Sequence, residues 1–329
     1  MRRKYWAALV CFIFNLALTT ILWSQHNTIV HISAIQNQDL KLRIEHNTSA
    51  LLTELNHALF EKRNPEFDKD ILTKSAEKYL KEWWKKQVFY CTTTEIERNL
   101  IKRMDRNYEV RGIPLNVLTN KNTYKQEEGV LILTPEGIID DVYFGLETDQ
   151  YNKFLKDGIP VKEFRRRSVI LNFVEKYRTA YNRKDIQYIE DFFSEGAIII
   201  VGKVIEKQKE KNDLIERGLD KKLVELIRKN KTEYIKSLRD VFKKNKEIKV
   251  GFNDIEIYQH PKYERIYGVT LLQNWWSTTY PDQGYLFLMI DFKDENRPMI
   301  HVRSWQPKEF TPEKEVIGLG NFDLTIFKH

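Results

Sequence analysis

Four strand-length segments follow one another in the C-terminal half of the chain, and they constrain its fold more than any other feature. They run over 248–258, 264–276, 284–292 and 299–306. In the third segment, alternate side chains are apolar on both faces. A strand of this kind needs cover on both sides. The sequence therefore predicts a sheet covered by helices on one face and by another domain or subunit on the other.

The residues before these strands add helices in a regular order. Apolar residues between 164 and 181 recur at helical spacing and predict a long helix. Asp185 fits the N-cap of a short helix over 186–193. The β-branched run over 197–204 then predicts a further strand.

A charged stretch over 206–231 separates this strand from the four that follow. Lys203 to Lys249 holds 16 basic and 9 acidic residues around a regular apolar face. We interpret the stretch as a solvated helical insertion, with one broken or two consecutive helices over 219–242. The interspersed acidic residues argue against nucleic acid as a partner.

This order resembles the nuclear-transport-factor-2-like superfamily, which includes ketosteroid isomerases and SnoaL-like cyclases. The phrases Tyr177–Asp185 and Phe193–Ala197 are similar to that family's passage from helix to strand. The resemblance covers 160–310 and implies a cone-shaped α+β fold, in which a curved antiparallel sheet closes around a pocket. The charged stretch is longer than compact members of the superfamily have there.

The middle of the chain, over 65–159, resembles a thioredoxin-like α/β domain more weakly. Cys91 follows a short apolar strand, and Thr94 with Glu97 forms a capping box that predicts a helix after it. Two strands joined by a turn at 134–137 and a helix near Tyr151 complete the likeness. Cys91 is followed by three threonines rather than by Cys-x-x-Cys spacing, which argues against dithiol exchange.

The N-terminus has the layout of a secretory signal peptide. Three basic residues at 2–4 precede an apolar run over 7–23, and polar residues follow it. We expect cleavage after Ser24, so the mature chain would lie in the periplasm or cell envelope. An uncleaved signal would instead anchor the chain in the membrane.

These features divide the chain into five parts. A signal peptide occupies 1–24, and a helical N-terminal segment occupies 25–64. The thioredoxin-like domain follows over 65–159, and the nuclear-transport-factor-2-like domain over 160–310. The tail over 311–329 carries Phe322, Leu324 and Ile326, which predict an added edge strand.

Two sets of residues are candidates for a site in the cone. Asp291, His301 and Tyr285 could supply a base and oxyanion donors if they share the concave face. We favour structural roles for them, because no catalytic motif accompanies them. The second set is aromatic with one cation, could stack on or bind a ligand, and comprises Trp275, Tyr280, Arg303 and Trp305.

Cys91 is also a candidate for redox chemistry, because a helix N-terminus lowers the pKa of a thiol. The alternative is an inert cysteine buried in an apolar strand. The sequence contains no metal-ligand spacing, phosphate loop or dinucleotide fingerprint, so we predict no metal and no cofactor.

The leading interpretation is an exported, non-catalytic protein of a bacterial envelope. Its cone-shaped domain would bind a small molecule, a glycan or a protein partner. One alternative is an isomerase, cyclase or hydratase that uses the cone pocket. Another is an assembly or scaffold protein, including a homodimer, which the apolar cover on both sheet faces would favour.

Overall fold

The structure, a computed structural model, describes most of the chain in two compact units. The described residues are 26–103, 105–118, 123–146, 151, 153, 161–206, 222–295 and 297–322. The units are Met1–Lys153 and Phe154–His329. The predicted signal over 1–24 and most of the charged stretch lie outside the described residues. Among those described, no helix has the length and apolar character needed to cross a membrane.

In the described part of the first unit, two long helices pack against strands. In chain order its elements are β1 (Ile29–Ser33), α1 (Gln38–Phe60), α2 (Lys74–Lys86), β2 (Phe89–Tyr90), β3 (Glu95–Asn99), β4 (Ile101–Lys102), β5 (Tyr108–Leu118), β6 (Tyr124–Leu133) and β7 (Ile139–Gly145). Side chains of Asn37 and Thr73 cap the two helices. Helix α1 shares one hydrophobic core with the strands rather than standing apart as a leading segment.

The sheets of this unit differ from a thioredoxin-like arrangement. Strands β5, β6 and β7 are antiparallel neighbours, and β2 and β4 pair antiparallel with β5. Strand β1 pairs with β3 in a separate parallel ribbon. The thioredoxin-like resemblance is therefore not confirmed. The predicted turn is present, because the Gly137 N–H donates to the Thr134 carbonyl over 2.9 Å.

The helix predicted after Cys91 is wrong, because Glu95–Asn99 is strand β3. The Ile29 N–H donates to the Thr94 carbonyl over 2.8 Å and begins the pairing with β1. Ile96 is buried while its neighbours on either side are exposed, as in a strand. Residues four apart, such as Ile96 and Leu100, share a face in a strand as well as in a helix. Pairing with β1 decides between the two.

The second unit combines a long helix, two shorter helices and a six-stranded sheet. Its elements are α3 (Val161–Arg183), α4 (Ile186–Asp191), β8 (Phe193–Glu206), β9 (Lys222–Asn230), α5 (Lys231–Lys244), β10 (Ile248–Gln259), β11 (Ile266–Ser277), β12 (Pro281–Asp291) and β13 (Met299–Pro307). Three short 3-10 helices follow, at Lys308–Phe310, Glu313–Glu315 and Leu319–Asn321.

The strand order of this sheet is β10-β11-β12-β13-β8-β9, and every pair except β13 with β8 is antiparallel. Long helix, short helix, strand, helix and four strands follow in the predicted order, except that β9 is an added strand between β8 and α5. The mixed helices and largely antiparallel sheet confirm the α+β class, and the long helix, short helix and last four strands follow in the order that the resemblance implied.

One expectation for this unit is wrong, and a second falls mostly outside the described residues. The predicted helix over 219–227 is wrong where it is described, because Lys222–Asn230 is strand β9 and pairs with β8. The helix begins only at Lys231, where Asn230 and Glu233 form a capping box at the start of α5. The tail covers the sheet with apolar side chains, and Ile317, Leu319 and Phe322 pack on Phe287. Leu324 and Ile326, predicted for an edge strand, lie outside the described residues.

Candidate functional site

A cavity of about 200 Å³ opens between helix α5 and the inner face of the sheet. Its wall includes Trp275, Tyr280, Arg303 and Trp305, the four residues that the sequence singled out for ligand contact. Arg303 and Trp305 come from β13, and they pair with Leu288 and Leu286 across to β12. The structure thus brings this candidate set to one place. The volume lies below the ~300–1,000 Å³ of pockets for drug-sized ligands, so it suits a small ligand.

Arg303 is the most buried charge on the cavity wall, with 5% of its surface exposed. Its Nε donates to the Tyr177 hydroxyl over 3.1 Å, and its guanidinium carbon lies 5.1 Å from the centre of the Tyr234 ring. Within the described ranges, no carboxylate forms an ion pair with it. Burial disfavours the charge, but the surrounding tyrosine oxygens outweigh burial and raise the pKa of Arg303. The guanidinium is therefore charged.

Three tyrosine hydroxyls continue from Arg303 as a chain of hydrogen bonds. The Tyr177 and Tyr181 oxygens lie 2.8 Å apart, and Tyr181 bonds in turn to Tyr234. Because the Tyr177 oxygen accepts from Arg303, its own hydrogen is best used toward Tyr181, and the Tyr181 hydrogen toward Tyr234. The Tyr234 hydroxyl is then the last donor of this chain, and Tyr234 lines the cavity wall. Burial raises the pKa of Tyr177 and Tyr181, so both phenols are neutral.

Two indole N–H groups at the cavity have no acceptor. The Nε1 atoms of Trp275 and Trp305 are buried, and neither has a hydrogen-bond partner among the described residues. An unsatisfied buried donor costs about 1–3 kcal/mol, so such groups call for an explanation. Both rings line the cavity, but their nitrogens have no accessible surface there, so these N–H groups belong to the packed wall.

The outer part of the wall carries acidic and basic groups. Tyr280 is 45% exposed and stacks on Trp275 at 6.4 Å, so it lies toward solvent. Asp282 also lines the cavity, and burial raises the pKa of its carboxyl group. Lys229 donates from Nζ to Ser237 over 2.9 Å. The cavity therefore has a cationic inner end and a mixed outer end.

The other candidate set does not reach this cavity. The pairing of β12 with β13 shifts between Met289 and Ile290, and this shift takes His301 out of the strand register. His301 contacts Asp291, which pairs with Ile266 on the face that the tail covers. Strict alternation along β13 would place His301 on the face of Arg303, and the bulge breaks this alternation.

Tyr285 is separated from the other two members of that set. It pairs with Gln306, whose side chain binds the tail through the Glu315 carbonyl and the Ile317 N–H. Asp291, His301 and Tyr285 thus do not converge on one pocket.

Asp291 and His301 belong instead to a polar cluster at the ends of their strands. The Asp291 carboxylate lies 3.2 Å from Arg265 Nε and 3.6 Å from His301 Nε2. His301 Nδ1 lies 3.2 Å from the Ser194 hydroxyl, and Ser194 is 8% exposed. Burial lowers the pKa of His301 although Asp291 opposes the shift, so the ring is neutral at pH 7. These contacts join β8, β12 and β13.

Cys91 is enclosed in the core of the first unit, with 1% of its surface exposed. Its N–H donates to the Asn56 side chain over 2.9 Å, and burial raises the pKa of its thiol. The expected helix N-terminus is absent here, because residues 92–94 lead into strand β3. The geometry therefore opposes a reactive thiolate.

Sequence reasoning missed the tyrosine chain. Tyr177 and Tyr181 were assigned to the apolar face of the long helix, and Tyr234 to that of the next helix. Two tyrosines four residues apart on a buried face are a usable signal, because each buried hydroxyl needs a partner. Gln273 and Asp282 of the cavity wall were also missed.

Comparison with known proteins yields fold-level similarities only. The sequence matches no protein-family profile and no curated protein. Bd1075 of Bdellovibrio bacteriovorus is 14% identical, over 63% of this chain and 91% of its own, with a TM-score of 0.33. An NTF2-like protein from Cytophaga hutchinsonii is 14% identical, over 43% and 97%, with a TM-score of 0.31. One of unknown function from Shewanella oneidensis is 13% identical, over 42% and 97%, with a TM-score of 0.29.

Proposed function

We propose that the second unit is a binding domain that holds a small organic molecule in the cavity beneath α5. The observation that carries this proposal is the wall itself, which combines aromatic side chains with a buried charge that lacks an anionic partner in the described part of the chain. Trp275, Tyr280 and Trp305 supply aromatic surface, and Arg303 supplies the charge. Small-molecule sites typically have this composition of apolar surface with a few convergent polar groups.

A fragment screen would test the proposal directly. Binding of small aromatic and aliphatic fragments would be measured by ligand-observed NMR on the wild-type protein. Val241 lines the cavity from α5, and Val241→Trp would fill it. Val204→Trp makes the same change at an exposed position of β8 outside the wall. We expect fragments whose binding is abolished by V241W and kept by V204W. Absence of bound fragments, or indifference to V241W, would contradict a binding role.

A second candidate function is acid–base chemistry in the same cavity. Asp282 has a raised pKa and shares the wall with the Tyr234 hydroxyl and Arg303, which could stabilise an oxyanion. Proton abstraction would be measured as deuterium exchange from D2O into ketone and acid fragments that bind. Exchange that is lost in Asp282→Asn, with binding retained, would favour an isomerase or hydratase over a binding domain.

We further propose that the chain acts outside the cytoplasm of a bacterium. The support is the basic, apolar and polar succession over 1–24. N-terminal sequencing of protein from the envelope fraction would test this. A mature chain that begins at Gln25 is the expected result, whereas an intact cytoplasmic chain would overturn it.

A further inference from the structure

We infer that the ligand of this cavity is an organic monoanion, a carboxylate on a small planar body, with its carboxylate bound at Arg303. This inference rests on the proposed binding function and names the chemical class of the ligand. It follows from the charge, the hydrogen-bond donors and the polarity of the cavity.

The charge argument starts from Arg303. A guanidinium with 5% exposure is costly to bury unless an anion accompanies it. Its described hydrogen bond, from Nε to Tyr177, uses a neutral acceptor. The terminal guanidinium nitrogens have no carboxylate in the described part of the chain. Two parallel N–H groups of arginine match the two oxygens of a carboxylate. A carboxylate on the ligand would therefore be a suitable partner for Arg303.

The neighbouring donors favour an anion over a neutral ligand. The Tyr234 hydroxyl ends a chain of hydrogen bonds that begins at Arg303 and passes through two neutral phenols. The Tyr234 hydroxyl and the Arg303 guanidinium thus both present donors at the inner end, and this end is complementary to negative charge.

The outer wall beside Asp282 disfavours a second negative group on the ligand. An anion placed there would oppose the Asp282 carboxylate, whose own charge burial already disfavours. Trp275 and Tyr280 lie with their rings inclined by 22° and leave an aromatic surface beside it. A planar hydrocarbon body would pack there and carry the carboxylate toward Arg303.

Matched acids and amides would test the inference on the wild-type protein. Benzoate, phenylacetate and 3-phenylpropionate would be compared with their primary amides by isothermal titration calorimetry. We expect at least one acid to bind about tenfold or more tightly than its amide, because a hydrogen bond to a charged group is worth more than one to a neutral group. V241W should abolish the binding of both.

Variants of Arg303 then test whether its guanidinium binds the carboxylate of the ligand. Arg303→Lys keeps the positive charge but loses the paired N–H groups. It should therefore reduce the affinity for the acids by less than Arg303→Gln does. Arg265→Gln removes an arginine on the other face of the sheet and should leave binding unchanged.

Amides that bind as tightly as the acids would overturn the anion inference while the binding function stands. Failure of every fragment to bind would overturn both. The comparison of acid with amide stands even if R303Q does not fold.

Discussion

The Nε of Arg303 donates to the Tyr177 hydroxyl over 3.1 Å, and this bond joins the last strand of the second unit to its long helix. Tyr177 has none of its surface exposed. A single contact therefore holds α3 on β13 and also orients the guanidinium at the cavity wall. Stability and site geometry are coupled through these two residues.

Removing the Tyr177 hydroxyl should weaken both. Tyr177→Phe leaves the Arg303 Nε and the Tyr181 hydroxyl short of a partner in a buried site, so we expect a loss of about 1–3 kcal/mol in the free energy of unfolding. Tyr285→Phe is the matched control, because Tyr285 lies on the other face of the sheet. Urea unfolding of both variants would measure the difference. Equal stability of the two would contradict the role of the tyrosine chain.

Gly284 is required by the close approach of β13. A Cβ at this position would lie 2.5 Å from the Gln306 carbonyl oxygen and 2.6 Å from Trp305 Cε2. Gly284→Ala should therefore cost about 1–3 kcal/mol as the strand and the indole shift. At Gly251, in the same sheet, the nearest atom would be 3.9 Å from the new Cβ, so Gly251→Ala serves as the control. Thermal unfolding would compare them, and a G284A protein as stable as G251A would refute this packing.

The sequence predicted the long helix and the last four strands of the second unit correctly, because their periodicities fit only one type of element, whereas the apolar face over 219–227 did not distinguish a helix from strand β9. The helix with apolar residues over 164–181 and the four alternating strands have lengths that suit no other element. In the first unit, strand β5 has a bulge at Gly112, which has a positive φ. Glycine marks such a site in the sequence.

The failures occurred where the sequence signal was ambiguous or depended on distant residues. Ile96 and Leu100 satisfy a helix and a strand equally, and only pairing with β1 decides between them. The bulge at His301 carries no glycine, so nothing in the local sequence marks this break in the alternation. The tyrosine chain joins two helices and a strand, and no local pattern connects them.

In the first unit, Glu109 should be essential for folding. Its carboxylate accepts hydrogen bonds of 2.7 Å from both Arg103 and Arg111, and Glu109 is 2% exposed. Glu109→Gln would leave two enclosed cations without their shared anion, so we expect a loss of about 3–5 kcal/mol in the free energy of unfolding. Glu97→Gln, at an exposed position of β3, should change it little. Tryptophan fluorescence during urea unfolding would report both, and a mild effect in E109Q would count against the cluster.

Cys91 should be inert in the folded protein. Burial raises the pKa of its thiol and blocks access, so iodoacetamide at pH 7 should modify it only after denaturation. Peptide mass mapping of a Cys11→Ser variant would locate the adduct. Native labelling of Cys91 at the rate of the denatured chain would restore the reactive-thiol interpretation.

Asp282 should make the stability of the second unit depend on pH. Burial raises the pKa of its carboxyl group in the folded state, so the folded protein keeps this proton to a higher pH than the unfolded chain does. Relative to Asp282→Asn, the wild-type free energy of unfolding should be constant below the unfolded pKa of about 3.9 and fall as pH rises through the folded pKa. Urea unfolding of both proteins between pH 3 and pH 8 would measure the difference. Asp254→Asn, at an exposed position in β10, should show no such trend. If the wild type instead gains stability over D282N with rising pH, a cation stabilises the Asp282 carboxylate, and the outer wall does not exclude a second anion.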